Sequence, residues 1–250
     1  MPTKSINAPR TASKAKSVSA AKPKAAKSKR GGTKNPTSPQ RVAAILEVLA
    51  KTYPGVVCAL NHKNAWELTV ATILSAQCTD VRVNLVTPEL FKRFPTPKAM
   101  AAAPLPEIEE LIRTTGFFRA KAKNIQGAAR VVTDEFGGQV PKTMEEMLRL
   151  PGVARKTANV VLGSWYGIAV GVVVDTHVLR LSRRLELTKE TTPEKVERDL
   201  MKIIPQRRWI AFSHELIHHG RQICIARKPR CVDCTLEKLC NSGDKTWSSH

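Results

Sequence analysis

Leu150-Pro151-Gly152-Val153-Ala154-Arg155-Lys156 opens a helix that runs on as Thr157-Ala158-Asn159-Val160-Val161-Leu162. A Pro-Gly turn between an apolar residue and a helix start leaves backbone N–H groups with no partner inside the helix. Such a terminus carries partial positive charge and binds phosphate readily. Lys156, on the first turn, stands between this positive end and Arg155, a setting in which an amine can serve as a nucleophile. Upstream, Thr143 and Glu146 form a capping box for a short helix ending at Leu150. Met144–Leu150 and Arg155–Trp165 are therefore expected to make a helical hairpin. Nineteen residues after Lys156 comes Val174-Asp175-Thr176-His177, an acid behind a run of valines that indicates burial. A phosphate cradle, an activatable amine and an acid are the parts of an enzyme acting on a nucleic-acid backbone. A plain helix start with a solvent-facing lysine would present the same seven residues.

Helical periodicity extends outward from this hairpin. Ser38-Pro39 is a cap followed by proline at the first helical position, and Val42, Ile45, Leu46 and Leu49 repeat at helical spacing. Trp66 to Ala76 is apolar nearly all round, which predicts a buried helix. Further helices are expected from Pro106 to Gly116, from Ala122 to Phe136 before Gly137-Gly138, and from Thr192-Pro193 through Ile204. The only strand-like piece is Val170 to Val174, and it lacks a partner. The fold class is all-α, built of short helices.

The 250 residues carry 41 Lys+Arg against 21 Asp+Glu, a formal charge of +20. That sign and size fit DNA or RNA better than an acidic small molecule. Residues 1–41 hold 11 Lys+Arg and no acid, which leaves 30 against 21 for the rest. The first 37 residues, rich in Ala, Lys, Ser and Pro, have little to bury and read as a disordered basic tail. They could tether DNA without sequence preference, or serve only solubility. No apolar run suffices for a signal peptide or a membrane span, so the expectation is a soluble intracellular protein without a membrane partner.

Four of the six cysteines crowd the C-terminus as Cys224, Cys231, Cys234 and Cys240, spaced C-x6-C-x2-C-x5-C. Without signs of secretion a disulfide framework is not expected, and the four thiols read as a metal site. Structural zinc usually shows two facing CxxC pairs, and only Cys231 and Cys234 form one. An iron–sulfur cluster tolerates looser loops and is the preferred reading. The first loop carries Arg227, Lys228 and Arg230 between two ligands, a basic loop suited to phosphate contact. Cys58 and Cys78 sit in apolar surroundings and read as core residues. His214-Glu215-Leu216-Ile217-His218 matches H-E-x-x-H, with Glu237 at the distance of a third zinc ligand. Glu237 falls inside the last cysteine loop, and the basic composition has no use in a peptidase. That helix is expected instead to pack under the cluster, with His214 as a structural or phosphate-facing residue.

Four stretches in this order resemble the helix-hairpin-helix (HhH-GPD) DNA glycosylases of the endonuclease III type: Leu74-Ser75-Ala76-Gln77-Cys78-Thr79-Asp80, then Leu150 to Val161, Val174 to His177, and the cysteine cluster. The resemblance covers roughly residues 38–245. It implies two helical domains with DNA in the cleft between them: a six-helix domain at 58–168 with the hairpin at 143–166, and a 4Fe-4S cluster domain of 38–57 plus 169–250. It implies a monomeric bifunctional glycosylase/AP lyase that removes oxidised pyrimidines from duplex DNA and also acts at abasic sites. Lys156 matches the nucleophile and Asp175 the catalytic acid. Gln77 matches the residue that enters the gap left by the flipped base, and Phe117 stands where the family's wedge leucine is familiar. Phe118 next door could be the exposed ring instead. Gly152, Ala154 and Arg155 would hold a phosphate through the hairpin. The family usually has glycine at the position of Ala154, so alanine fits only with negative φ and its methyl away from DNA. Mismatch adenine glycosylases lack the lysine. A pyrimidine-dimer glycosylase/lyase, or a non-catalytic iron–sulfur DNA-binding protein, would keep much of the same pattern. Such a protein is expected at the nucleoid in the cytoplasm of a bacterium, or in the nucleus or mitochondria of a eukaryote.

Overall fold

The structure is a computed structural model that describes residues 35–246. All but the last few residues of the 1–37 tail fall outside the described residues. Among the described residues there are eleven α-helices and no β-strand. They run α1 (Pro39–Thr52), α2 (Ala65–Leu74), α3 (Asp80–Arg93), α4 (Pro97–Ala102), α5 (Leu105–Leu111), α6 (Phe118–Asp134), α7 (Met144–Met147), α8 (Arg155–Ser164), α9 (Thr176–Arg184), α10 (Pro193–Ile203) and α11 (Trp209–Gln222). No helix among them is long and apolar enough to cross a membrane.

Two hydrophobic cores organise these helices. The first is built around α2, all ten of whose residues are buried, as its all-round apolar sequence requires. Packed with it are Leu90, Met100, Ile108, Ile125 and Val132 from α3 to α6, then Met147, Leu150 and Val161 from the hairpin. The second joins Val42, Ile45 and Leu49 of α1 to Val178 and Leu181 of α9, Val196 and Leu200 of α10, and Phe212 and Leu216 of α11. Buried Arg41 fastens α1 there by donating to the carbonyls of Pro36, Leu185 and Leu239.

The strand-like residues Val170 to Val174 form an extended connection without ladder partners. Val173 packs into the first core, while Val172 and Val174 pack into the second. Side chains of an extended chain alternate faces, so a β-type apolar run arises here from burial between two helical layers. The Val173 N–H donates to the Ser213 hydroxyl (3.1 Å) instead of to another strand.

The hairpin's first helix is shorter than its sequence predicts, ending at Met147 and not Leu150. Thr143 caps it, accepting from the Glu146 N–H at 3.3 Å and donating to the Glu146 carboxylate at 2.8 Å. By contrast Ser38 and Thr192 make no side-chain cap bond, and Pro39 and Pro193 start those helices through their fixed φ alone.

Candidate active site and DNA-facing surface

Gly152 has φ +78°, and a Cβ added to it would lie 2.8 Å from the Asn124 Cβ. Glycine is therefore needed twice, for the left-handed turn and for the close approach to α6. Ala154 is the N-cap of α8 with φ −93° and ψ 172°, an extended conformation open to any residue. Alanine is compatible with the turn. Having no side-chain oxygen, it leaves the first-turn N–H groups of α8 uncapped and open to an anion.

Lys156 is exposed on that first turn. The basic neighbour expected beside it is engaged elsewhere: Arg155 grips Glu197 of α10 through two hydrogen bonds (2.7 and 3.0 Å), and Asn159 donates to the same carboxylate at 2.9 Å. Arg155, expected to hold a phosphate, instead anchors α8 to α10.

Asp175 is the N-cap of α9, its Oδ1 accepting from the N–H groups of His177 and Val178, both at 2.8 Å. Those bonds hold the carboxylate in one orientation and leave Oδ2 free of them. Lys156 and Asp175 line one cleft. Its walls come from both cores, with Leu60 and Val160 on one side and His214, Ile217 and His218 on the other. Cys58, expected as a core residue, also lines it.

His214 faces this cleft and pairs with the Ser164 hydroxyl (3.1 Å). Burial pushes its imidazole down, and the positive charges of His218 and Arg221 act in the same direction. Glu215 points the other way, almost wholly buried against Arg208 at 2.8 and 2.9 Å. The H-E-x-x-H triplet therefore does not converge. Arg221 of α11 and Asp80 of α3, which also line the cleft, are paired at 2.7 Å. Lying 141 residues apart, they could not be paired from sequence.

Gln77 and Phe117 are both exposed, Phe117 by 69%. Phe118 is the ring that packs on the first core, which settles which of the two faces solvent.

The four cysteines line one pocket together with Arg184. Burial pushes the Cys224 and Cys240 thiols up, and that of Cys234 to about 11, so that only a cation's field would make them thiolates at neutral pH. Arg184 donates to the Cys224 Sγ (3.2 Å) and the Thr246 N–H to the Cys231 Sγ (3.4 Å). His219 Nε2 lies 3.3 Å from the Cys234 Sγ, its Nδ1 paired with the Tyr53 hydroxyl. Among the described residues no three His, Cys, Asp or Glu side chains converge on a single-ion site. The loop between Cys224 and Cys231 is tied down by Arg184, which donates to the carbonyls of Ile225 and Ala226. Arg227 and Lys228 stand exposed on it, whereas Arg230 is paired with Asp233 at 2.8 Å.

A protein-family model, HhH-GPD superfamily base excision DNA repair protein, matches residues 70–206. Endonuclease III of Synechocystis sp. is 60% identical over 204 residues, covering 82% of this chain and 93% of that protein. The chain belongs to the endonuclease III family. Endonuclease III of Escherichia coli K12 is 39% identical, covering 80% of this chain and 95% of its own length. A solved non-covalent endonuclease III–DNA complex matches this endonuclease III family member with TM-score 0.77 at 43% identity, covering 81% of this chain and 95% of that one. The all-helical architecture around a cleft is that of the family.

Proposed function

We propose that this chain is a bifunctional DNA glycosylase/AP lyase of base excision repair that removes oxidised pyrimidines from duplex DNA. The observation that carries the reading is Lys156 and Asp175 lining one cleft whose walls draw on both cores. The damaged nucleotide, turned out of the stack, presents its sugar C1′ to Lys156. Asp175 takes part in removing the proton from the lysine and stabilises positive charge on the sugar. The Lys156 Nζ lone pair forms a bond to C1′, the C1′–N bond breaks, and the base leaves with that electron pair and a proton. Ring opening yields the protonated Schiff base. Loss of a C2′ proton then expels the 3′ phosphate, and water releases Lys156. The uncapped N–H groups at the start of α8 hold a phosphate beside the lesion. Gln77 fills the gap and Phe117 wedges the stack.

The reading includes domains at 58–168 and at 38–57 with 169–250, supported by the two cores. It includes a 4Fe-4S cluster on Cys224, Cys231, Cys234 and Cys240, supported by a cavity between four sulfurs and by hydrogen bonds to two of them. The four thiolates would hold the cluster through Fe–S bonds, which would tie the loop bearing Arg227 and Lys228 to the segments of Cys234 and Cys240. The reading also includes a monomer working on the chromosome in the cytoplasm, the relatives named above being bacterial.

Borohydride trapping tests the chemistry. Wild type is expected to link covalently to duplexes carrying oxidised pyrimidines or abasic sites, Lys156→Gln not at all, and Asp175→Asn slowly. Failure of wild type to trap on any such duplex refutes the lyase. Trapping only on pyrimidine dimers would move the substrate to that class.

A further inference from the structure

Lys121 lies in α6 and is 4% exposed. Its Nζ donates to the carbonyl of Leu74 at 2.8 Å and to that of Thr115 at 2.7 Å. No carboxylate pairs with it among the described residues, and burial pushes its pKa down. Burying an ammonium costs free energy that hydrogen bonds must offset, and here both go to backbone carbonyls of different segments.

The two carbonyls identify what is held. Leu74 ends α2 three residues before Gln77, and Thr115 stands two residues before Phe117. Among the described residues only four non-glycine residues have positive φ, and two are Gln77 (φ 53°) and Phe117 (φ 49°). Left-handed conformations at such residues persist where the surroundings over-determine them. Both stems are braced again from within, Ser75 donating to the Thr72 carbonyl and Thr115 to that of Ile112, each at 2.8 Å.

We infer that Lys121 is a positioning residue that fastens the Gln77 turn and the Phe117 turn to one ammonium and presents both to the duplex as a single rigid unit. The inference rests on the proposed roles of Gln77 and Phe117. Two loops that must enter one gap together bind best when their spacing is set beforehand, because ordering them during binding would weaken the complex. The contribution should therefore appear in recognition of a lesion and not in attraction to the phosphate backbone.

Lys121→Met in the full chain with its cluster tests this, using a duplex with a tetrahydrofuran abasic analogue and an undamaged duplex. Affinity for the analogue duplex is expected to fall about tenfold, and for the undamaged duplex to stay within about twofold. Amide exchange is expected to quicken at 75–78 and at 115–117 together, with the rest of α6 still protected. Gln77→Ala and Phe117→Ala should each weaken analogue binding in the wild-type background and much less in Lys121→Met. Equal loss on both duplexes, or faster exchange in one turn only, overturns the inference. If Gln77→Ala and Phe117→Ala weaken analogue binding while Lys121→Met does not, the positioning role is wrong and the probing roles stand. If neither alanine variant weakens it, the probing roles themselves fail. Should Lys121→Met not fold, Lys121→Gln keeps a donor without the charge, and the same comparison of duplexes decides.

Discussion

Replacing Gly152 by alanine perturbs the hairpin in two separable ways. The first is conformational: φ is +78°, and a left-handed conformation at alanine costs about 1–2 kcal/mol. The second is steric. The new methyl would sit 2.8 Å from the Asn124 Cβ and 3.1 Å from its Cγ and Nδ2, with its first contact beside the α6 backbone and not at a movable side-chain end. Overpacking of this kind costs about 1–3 kcal/mol, so Gly152→Ala should lose about 2–5 kcal/mol altogether. Urea unfolding followed by far-UV circular dichroism measures the loss. The steric share is isolated by Asn124→Gly, which removes the offending Cβ at about 1 kcal/mol in the helix interior. In the double variant the methyl has room, so the two losses should fall short of additivity by about 1–2 kcal/mol. Strict additivity, or a single-variant loss below about 1 kcal/mol, would refute the claim that space against Asn124 makes glycine necessary.

Ala154→Gly should leave DNA affinity within about twofold by fluorescence anisotropy, since an extended φ of −93° gives glycine no advantage; it should lose about 0.5–1 kcal/mol of stability through the freer unfolded chain. His214, its pKa lowered by burial from 6.5, binds its proton in the unfolded chain before the folded one. Its stabilising contribution is therefore present above pH 6.5 and lost as pH falls towards the folded value, with a slope of at most about 1.4 kcal/mol per pH unit. In urea titrations at several pH values His214→Gln should flatten that slope, and an unchanged slope would contradict it. Arg227→Ala/Lys228→Ala should reduce the slope of log affinity against log salt by roughly 2, whereas Arg230→Ala, already paired with Asp233, should move it less. Elemental analysis of the purified protein should find iron with inorganic sulfide, and stoichiometric zinc without iron would overturn the cluster.

What the sequence reveals follows the range over which each signal acts. Helices whose apolar residues repeat every turn, such as α1 and α10, or that are apolar all round, such as α2, are readable from local spacing. α3 is not, because its inward positions Val83, Thr87 and Leu90 include a polar residue and Pro88 interrupts the pattern. The hairpin's glycine and lysine are legible because a turn and a helix start are local events. The use of Arg155 is not, since Glu197 lies 42 residues on and only the packing of α8 against α10 brings it near. Asp175 can be picked out as an acid behind valines, but its hold on α9 depends on where that helix begins. The strained backbone of Gln77 and Phe117 leaves no compositional trace, and neither residue is the type usually chosen for a left-handed turn.

The valine connection at 170–174 makes the two halves of the molecule intolerant of length change. From Val172 to Val174 successive side chains alternate between the two cores, Val173 entering the first and its neighbours the second. Deleting one residue would send Val173 to the wrong layer and its neighbours to the opposite one, and a point change elsewhere could not restore them. The same slip would carry Asp175 away from its place at the head of α9. A one-residue insertion at 172–174 should therefore destabilise the fold more than a conservative apolar substitution there.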